Sequence, residues 1–258
     1  MRVVVCCKAV ATDVTPDSVH IINNDLHCDS GDLFINELDE YALEAALSLK
    51  KSHLAETVAL TLGPLRAQEA LYVALAKGID RVLRIHGETS SPERIAMGLV
   101  PALRELAPQI VLVGVQSEDW MGSEVGIYLA EALGASIGMA VVEIAELNEA
   151  QVRIKKEIGG GRNAEVILKL PAVLCVQSGI KPLQYVSALR KKKVRDTPIK
   201  LWGKLEDINI PNQMKNMMNY QFKKVSAPEA ETQATILSGE RPEKAKAFLE
   251  ILRKNLSV

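Results

Sequence analysis

The chain has 258 residues, a net charge of −1 and 48% hydrophobic residues. That length buries a substantial core, as one large α/β domain or one domain with an appendage, and the charge balance gives no pull toward nucleic acid or an anionic membrane surface. No apolar run approaches the roughly 18 residues that span a bilayer, so the expectation is a cytoplasmic chain that is not an integral membrane protein. Cys6, Cys7, Cys28 and Cys175 lack metal-ligand spacing, the histidines are scattered, and no Ser/His/Asp or HExxH arrangement occurs; neither a catalytic side chain nor a metal site is expected.

Arg2–Cys7 reads as an opening strand rather than a signal peptide, with Cys6 and Cys7 on opposite faces. Lys8–Thr12 leaves its carboxyl end. Thr15–Asp32 is polar and reads as a hairpin-like excursion in which Val19–Ile22 is a short strand. Asn36 precedes an amphipathic helix, Glu37–Lys51, with acids in its first turn and Leu38, Tyr41, Ala42, Ala45 and Leu49 on one stripe. Thr57–Leu62 is a core strand ending in Gly63-Pro64. A helix over Ala67–Lys77 closes at Gly78, and Arg81–Ile85 is the next strand. Ser91-Pro92-Glu93 opens a helix that runs to Leu106, with Pro at the first helical position.

Ile110–Val113, closed by Gly114, is an apolar β-branched run typical of a buried parallel strand. A polar loop from Gln116 to Glu124 leads into a helix over Gly126–Leu133, with Ser123 as N-cap and Gly134 after its end. A short strand is expected near Met139–Ile144. This alternation predicts an α/β, Rossmann-like, open and mostly parallel sheet with helices on both faces. After Ala145 the texture changes. Gln151–Ile158 and Ala164–Leu170 read as an antiparallel hairpin around three glycines, and AVLCV after Pro171 as another buried strand. Pro182–Pro211 is basic and poor in core pattern, residues 211–235 read as an extended arm, and Arg241–Leu256 closes as a helix. The expected division is 1–182 for an α/β domain and 183–258 for a basic segment, an extended arm and a C-terminal helix.

In such a sheet the loops Lys8–Thr12, Ile35–Asp39, Leu62–Pro64 and Gln116–Val125 converge on one mouth, where strand ends and helix N–H groups favour anionic ligands. Each loop alone reads as a surface turn, and it is their convergence that points to a nucleotide crevice. The Gln116–Glu124 loop, however, is longer than the about 2–6 residues of an ordinary connector. There is no GxGxxG and no P-loop. Asp119 and Glu124 oppose a phosphate unless they point away, bind a ribose hydroxyl or meet a cation. The run Arg190–Arg195 reads as a solvated or partner-docking segment, and Met214, Met217, Met218, Tyr220 and Phe222 lie in the arm, where a partner subunit is the natural cover.

With these pieces in order, the chain resembles the β subunit of electron transfer flavoprotein, including its FixA-like members. The matching stretches are VVVCCKAV, INELDEYALEAALSLK, TLGPLRAQEALYVALAKGIDR, GVQSEDWMGSEVGIYLAEALG and KKEIGGGRNAEVILKLPAVLCV. The resemblance implies a heterodimer whose α subunit carries the electron-transferring FAD, while this chain binds AMP or a second FAD in its own crevice. It gives the adenine nucleotide to the domain 1–182, and partner docking and the crossing arm to 183–258. It implies cofactor-binding roles for Cys6, Asn36, Glu37, Leu38, Asp39, Leu62, Gly114, Val115, Gln116, Ser117, Asp119, Gly122, Ser123, Glu124, Val125 and Gly126. It also implies docking of an acyl-CoA-type dehydrogenase through Tyr185, Ala188, Leu189, Arg190 and Lys191, with electrons passed to a quinone oxidoreductase or another acceptor. The chain departs from the family pattern at Ala11 and Glu37, where Pro is common, and at Glu124, where an amide is common. It departs again at Gly159 and Ala164, where acids are usual, and at Ala188, where the leucine falls one place later at Leu189. A reading from another class is a stand-alone adenine-nucleotide sensor of the universal-stress-protein type; the apolar arm and the basic segment argue against it.

Overall fold

A computed structural model describes residues 1–11, 18–22, 25–28, 32–209 and 235–256. They fall in two compact units, Met1–Val225 and Ser226–Val258. The expected arm at residues 211–235 lies almost wholly outside the described residues. In the second unit the described element is a helix, Arg241–Leu256 (α6).

The first unit is organised on a nine-stranded sheet. Its central strands are the apolar runs of the sequence: β1 (Arg2–Cys6), β6 (Glu56–Leu62), β7 (Arg81–His86), β8 (Ile110–Gly114) and β12 (Ala172–Val176). They are joined by β9 (Ser136–Leu147), β10 (Gln151–Glu157), β11 (Asn163–Lys169) and β13 (Lys200–Lys204). The order is β11-β10-β9-β12-β8-β1-β6-β7-β13. Every neighbouring pair from β9 to β13 is parallel, and the hairpin β10–β11 continues the sheet antiparallel beyond β9.

Helices cover both faces, as the alternation required. On one side α1 (Glu37–His53) and α2 (Gln68–Lys77) pack on Val3, Val5, Ala59, Val82 and Leu112. On the other α3 (Pro92–Leu106) and α4 (Val125–Leu133) pack on Val4, Val58, Leu83, Val111 and Val173. Adjacent strand residues thus feed opposite cores, and Cys7 and Cys6 fall on the first and second respectively. The α3 start is built as read: Ser91 Oγ accepts from the Arg94 N–H, with Pro92 at the first position. The excursion after β1 contains β2 (Ala9–Ala11) paired with β5 (Leu33–Ile35), and β3 (Val19–Ile22) paired with β4 (Asp25–Cys28), both antiparallel.

Three expectations are corrected. The strand expected near Met139–Ile144 runs over Ser136–Leu147, because it pairs with β12 on one side and with the hairpin on the other and is only half buried along its length. The stretch read as poor in core pattern contains a helix, α5 (Ala188–Val194), and the edge strand β13. That strand needs only one covered side, and Trp202 Nε1 ties it to α3 by donating to Glu105 Oε2 at 2.8 Å. The N-cap of α4 is Glu124, not Ser123, which holds φ 57°.

Candidate functional site

From β1 the chain moves outward through β6 and β7, then crosses back to place β8 on the other side of β1. The carboxyl ends of β1 and β8 therefore diverge at a topological switch point, where open α/β sheets hold ligands. A cleft of about 300 Å³ opens there, walled by the turns after β1, β6, β7 and β8, by the start of α4, and by Val19, His27 and Cys28 from β3 and β4.

Asp39, in the first turn of α1, holds the two diverging ends together. Its Oδ2 accepts from the Lys8 N–H and its Oδ1 from the Gly114 N–H, both at 2.7 Å. Burial pushes this carboxyl up from 3.8 to about 6, against the opposing pull of the two backbone N–H groups, the Asn36 side chain and the Lys8 charge. Gly114 is required here, since a Cβ at that position would sit 2.7 Å from Asp39 Oδ1 and 2.8 Å from Leu38 Cβ. Asn36 extends the seam: its Nδ2 donates to the Gln116 carbonyl at 3.0 Å, and its Oδ1 accepts from the Glu118 N–H at 3.1 Å.

The loop after β8 is compact. Lys8 Nζ meets Asp119 Oδ1 at 2.7 Å, so this acid faces a cation, one of the three ways read for it. The Met121 N–H donates to the Ser117 carbonyl at 2.8 Å. Met121 and Ser123 both hold left-handed backbone, φ 56° and 57°, a conformation that costs a non-glycine residue about 1–2 kcal/mol. Gly122 between them is pinched, its position flanked by the Trp120 indole at 2.7 Å and Glu124 Oε1 at 3.0 Å from where a Cβ would stand. The Glu124 carboxylate is thus folded over Gly122, while its carbonyl accepts the N–H groups of Ile127 and Tyr128. The first N–H groups of α4 have no intrahelical acceptor and carry the positive end of the helix dipole at the cleft wall. Gly126 lets the helix start this close to the sheet: a Cβ there would overlap Cys175 Sγ.

Of the residues expected at the cofactor, Cys6, Asn36, Asp39, Leu62, Gly114, Val115, Gln116, Ser117, Asp119, Gly122, Ser123, Glu124 and Val125 line the cleft. Glu37, Leu38 and Gly126 do not. The Glu37 N–H donates to Glu118 Oε1 at 3.0 Å, and Leu38 and Gly126 stand behind the wall. The sequence reading missed the turn after β7, Gly87–Ser90, and Arg66, both on the wall. The turn was findable, because it leaves the same sheet edge as the others. Arg66 donates to the Cys28 carbonyl at 2.9 Å and so ties β4 to the cleft rim. Burial raises the Cys6 and Cys7 thiols far above the usual range and Cys175 to about 12, which keeps these three protonated.

The residues expected to dock a dehydrogenase, Tyr185 and Ala188–Lys191, lie apart from the cleft lining, ahead of and within α5. Tyr185 and Leu189 are 87% and 78% exposed, and α5 buries none of its residues.

The electron transfer flavoprotein domain pattern matches residues 28–201. The chain is 30% identical over 228 residues to the electron transfer flavoprotein subunit beta of Methylophilus methylotrophus, covering 85% of this chain and 86% of that protein. It is 24% identical over 248 residues to the subunit beta of Bacillus subtilis (strain 168), covering 95% of each. It is 30% identical over 167 residues to the subunit beta of Bradyrhizobium diazoefficiens, covering 64% of this chain and 66% of that protein. With a doubly covered parallel sheet and a cleft at its switch point already in view, these matches establish that the chain belongs to the electron transfer flavoprotein family, as a β subunit.

Proposed function

We propose that this chain is the nucleotide-holding half of a heterodimeric electron carrier, whose α subunit brings the redox-active FAD. In this reading the switch-point cleft binds AMP. The observation that carries it is the Asp39 seam, which draws the ends of β1 and β8 together while the start of α4 faces the cleft. A volume of about 300 Å³ lies at the small end of ligand sites, roughly 300–1,000 Å³, and favours a mononucleotide over a dinucleotide. The backbone N–H groups at the α4 start would take the phosphate, because Lys8 is already paired with Asp119. The flavin supplies the redox chemistry, while this chain binds, orients and shields.

Electrons would reach the heterodimer from an acyl-CoA-type dehydrogenase docked at Tyr185, Ala188, Leu189, Arg190 and Lys191, and leave toward a quinone oxidoreductase. Co-expression with the α subunit, purification, denaturation and identification of the released nucleotides test the cleft. One FAD and one AMP per heterodimer are expected. Two FAD would replace AMP with a second flavin, and no adenine nucleotide beyond the α-subunit FAD would overturn the reading.

A further inference from the structure

The exposed segment 185–195 buries little of itself, yet both of its ends are pinned to α2. At its start Lys77 Nζ, on a side chain 1% exposed, lies 2.5 Å from Glu44 Oε1 and 2.8 Å from Glu40 Oε1. The same ammonium donates to the Gln184 carbonyl at 2.9 Å, and the Gln184 N–H donates to Glu44 Oε1 at 2.9 Å. One buried ion pair therefore grips both backbone polar groups of the residue before Tyr185. Val186, just beyond, is buried. At the other end Arg195 forks onto Glu69 at 2.9 and 2.7 Å and lies 5.7 Å over the Tyr72 ring. Glu69 and Lys77 stand near opposite ends of α2, about 12 Å apart along its axis.

A buried ion pair adds little net stability over apolar residues of the same shape, so its presence asks for another reason. Here it holds the main chain at Gln184, an exposed residue, ahead of the buried Val186. We propose that Glu44 with Lys77, and Glu69 with Arg195, are positioning residues that pre-organise the segment between them. The segment then presents Tyr185 and Leu189 as apolar anchors, with the Arg190–Lys193 charges around them, to a dehydrogenase with an apolar pocket and an acidic rim. This rests on the docking role proposed above. Pre-organisation lowers the ordering cost of association, which a loose loop would pay at each encounter.

The test uses the αβ heterodimer with a purified acyl-CoA dehydrogenase as electron donor. The double substitution Glu44→Leu/Lys77→Met removes both fully buried charges, leaves the partly exposed Glu40 to water, and frees Gln184. Tryptic cleavage within residues 190–195 should rise about tenfold, as a locally opened segment is exposed. The KM for heterodimer should rise about tenfold with kcat unchanged, since only association is affected. Glu44→Gln keeps an acceptor for the Gln184 N–H and should restore slow cleavage. If the double variant fails to fold, Glu69→Ala tests the exposed clamp, with about a threefold rise in both readouts expected for a loss of this size. Unchanged cleavage in a folded variant overturns the clamp. Faster cleavage with unchanged KM overturns its positioning role. Tyr185→Ala and Leu189→Ala separate the two failures: if they too leave KM unchanged, the docking role itself is wrong.

Discussion

Two acids on the buried face of α1 anchor two regions in different ways. Asp39 fixes the mouth of the sheet with two backbone N–H groups, and its charge is answered by dipoles more than by a cation. Glu44 fixes the start of the exposed segment 185–195 with an ammonium as well as an N–H, so that anchor is balanced within itself. The Asp39 anchor therefore carries a proton-dependent charge, whereas the Glu44 anchor depends on both members of a pair being present.

The largest break is Lys77→Met alone. It leaves Glu44 buried without its cation and should cost about 3–5 kcal/mol, whereas the double substitution at Glu44 and Lys77 should be near neutral. Denaturant unfolding of the heterodimer compares the two. Asp39→Asn comes next: the amide can accept from one N–H but not both, so one buried donor is orphaned at a cost of about 1–3 kcal/mol. The same variant tests the proton. Folded Asp39 keeps its proton up to about pH 6, whereas the unfolded chain releases it near 3.8. Between those values the folded state binds the extra proton, so this contribution is full below 3.8 and lost as pH rises through about 6. Stability measured from pH 4 to 7 should therefore fall more in the wild type than in Asp39→Asn. The smallest effect is Lys8→Met, which removes a partly exposed pair with Asp119 and should change stability by less than about 1 kcal/mol.

Much of this architecture is legible in sequence because buried parallel strands announce themselves. VVVC, TVALTL, IVLVG and AVLCV are near-continuous apolar runs, and the helices between them fix the topology that gathers the mouth loops. Edge and half-buried elements are less legible. KLWGK carries no apolar run, and β9 alternates only loosely because neighbours cover it unevenly. The cap at Glu124 hides behind Ser123, a better capping residue whose backbone the loop turns left-handed. The Asp39 seam could not be read at all, since its partners are backbone groups far along the chain. Nor could the Gln184 clamp, which requires that Glu44, Lys77 and a loop meet in space. The family resemblance supplied the site residues, and the geometry separates those on the cleft wall from Glu37, Leu38 and Gly126.

The close seating of α4 on the sheet has a kinetic consequence. Gly126 brings the first turn of that helix directly over Cys175, a thiol that is 1% exposed and held protonated by burial. Alkylation of Cys175 must wait for that turn to lift, so its rate, read by mass spectrometry beside the partly exposed Cys28, clocks the opening of the mouth. A nucleotide held by the same turn would slow that clock in proportion to its occupancy, giving the protein an internal gauge of its own loading.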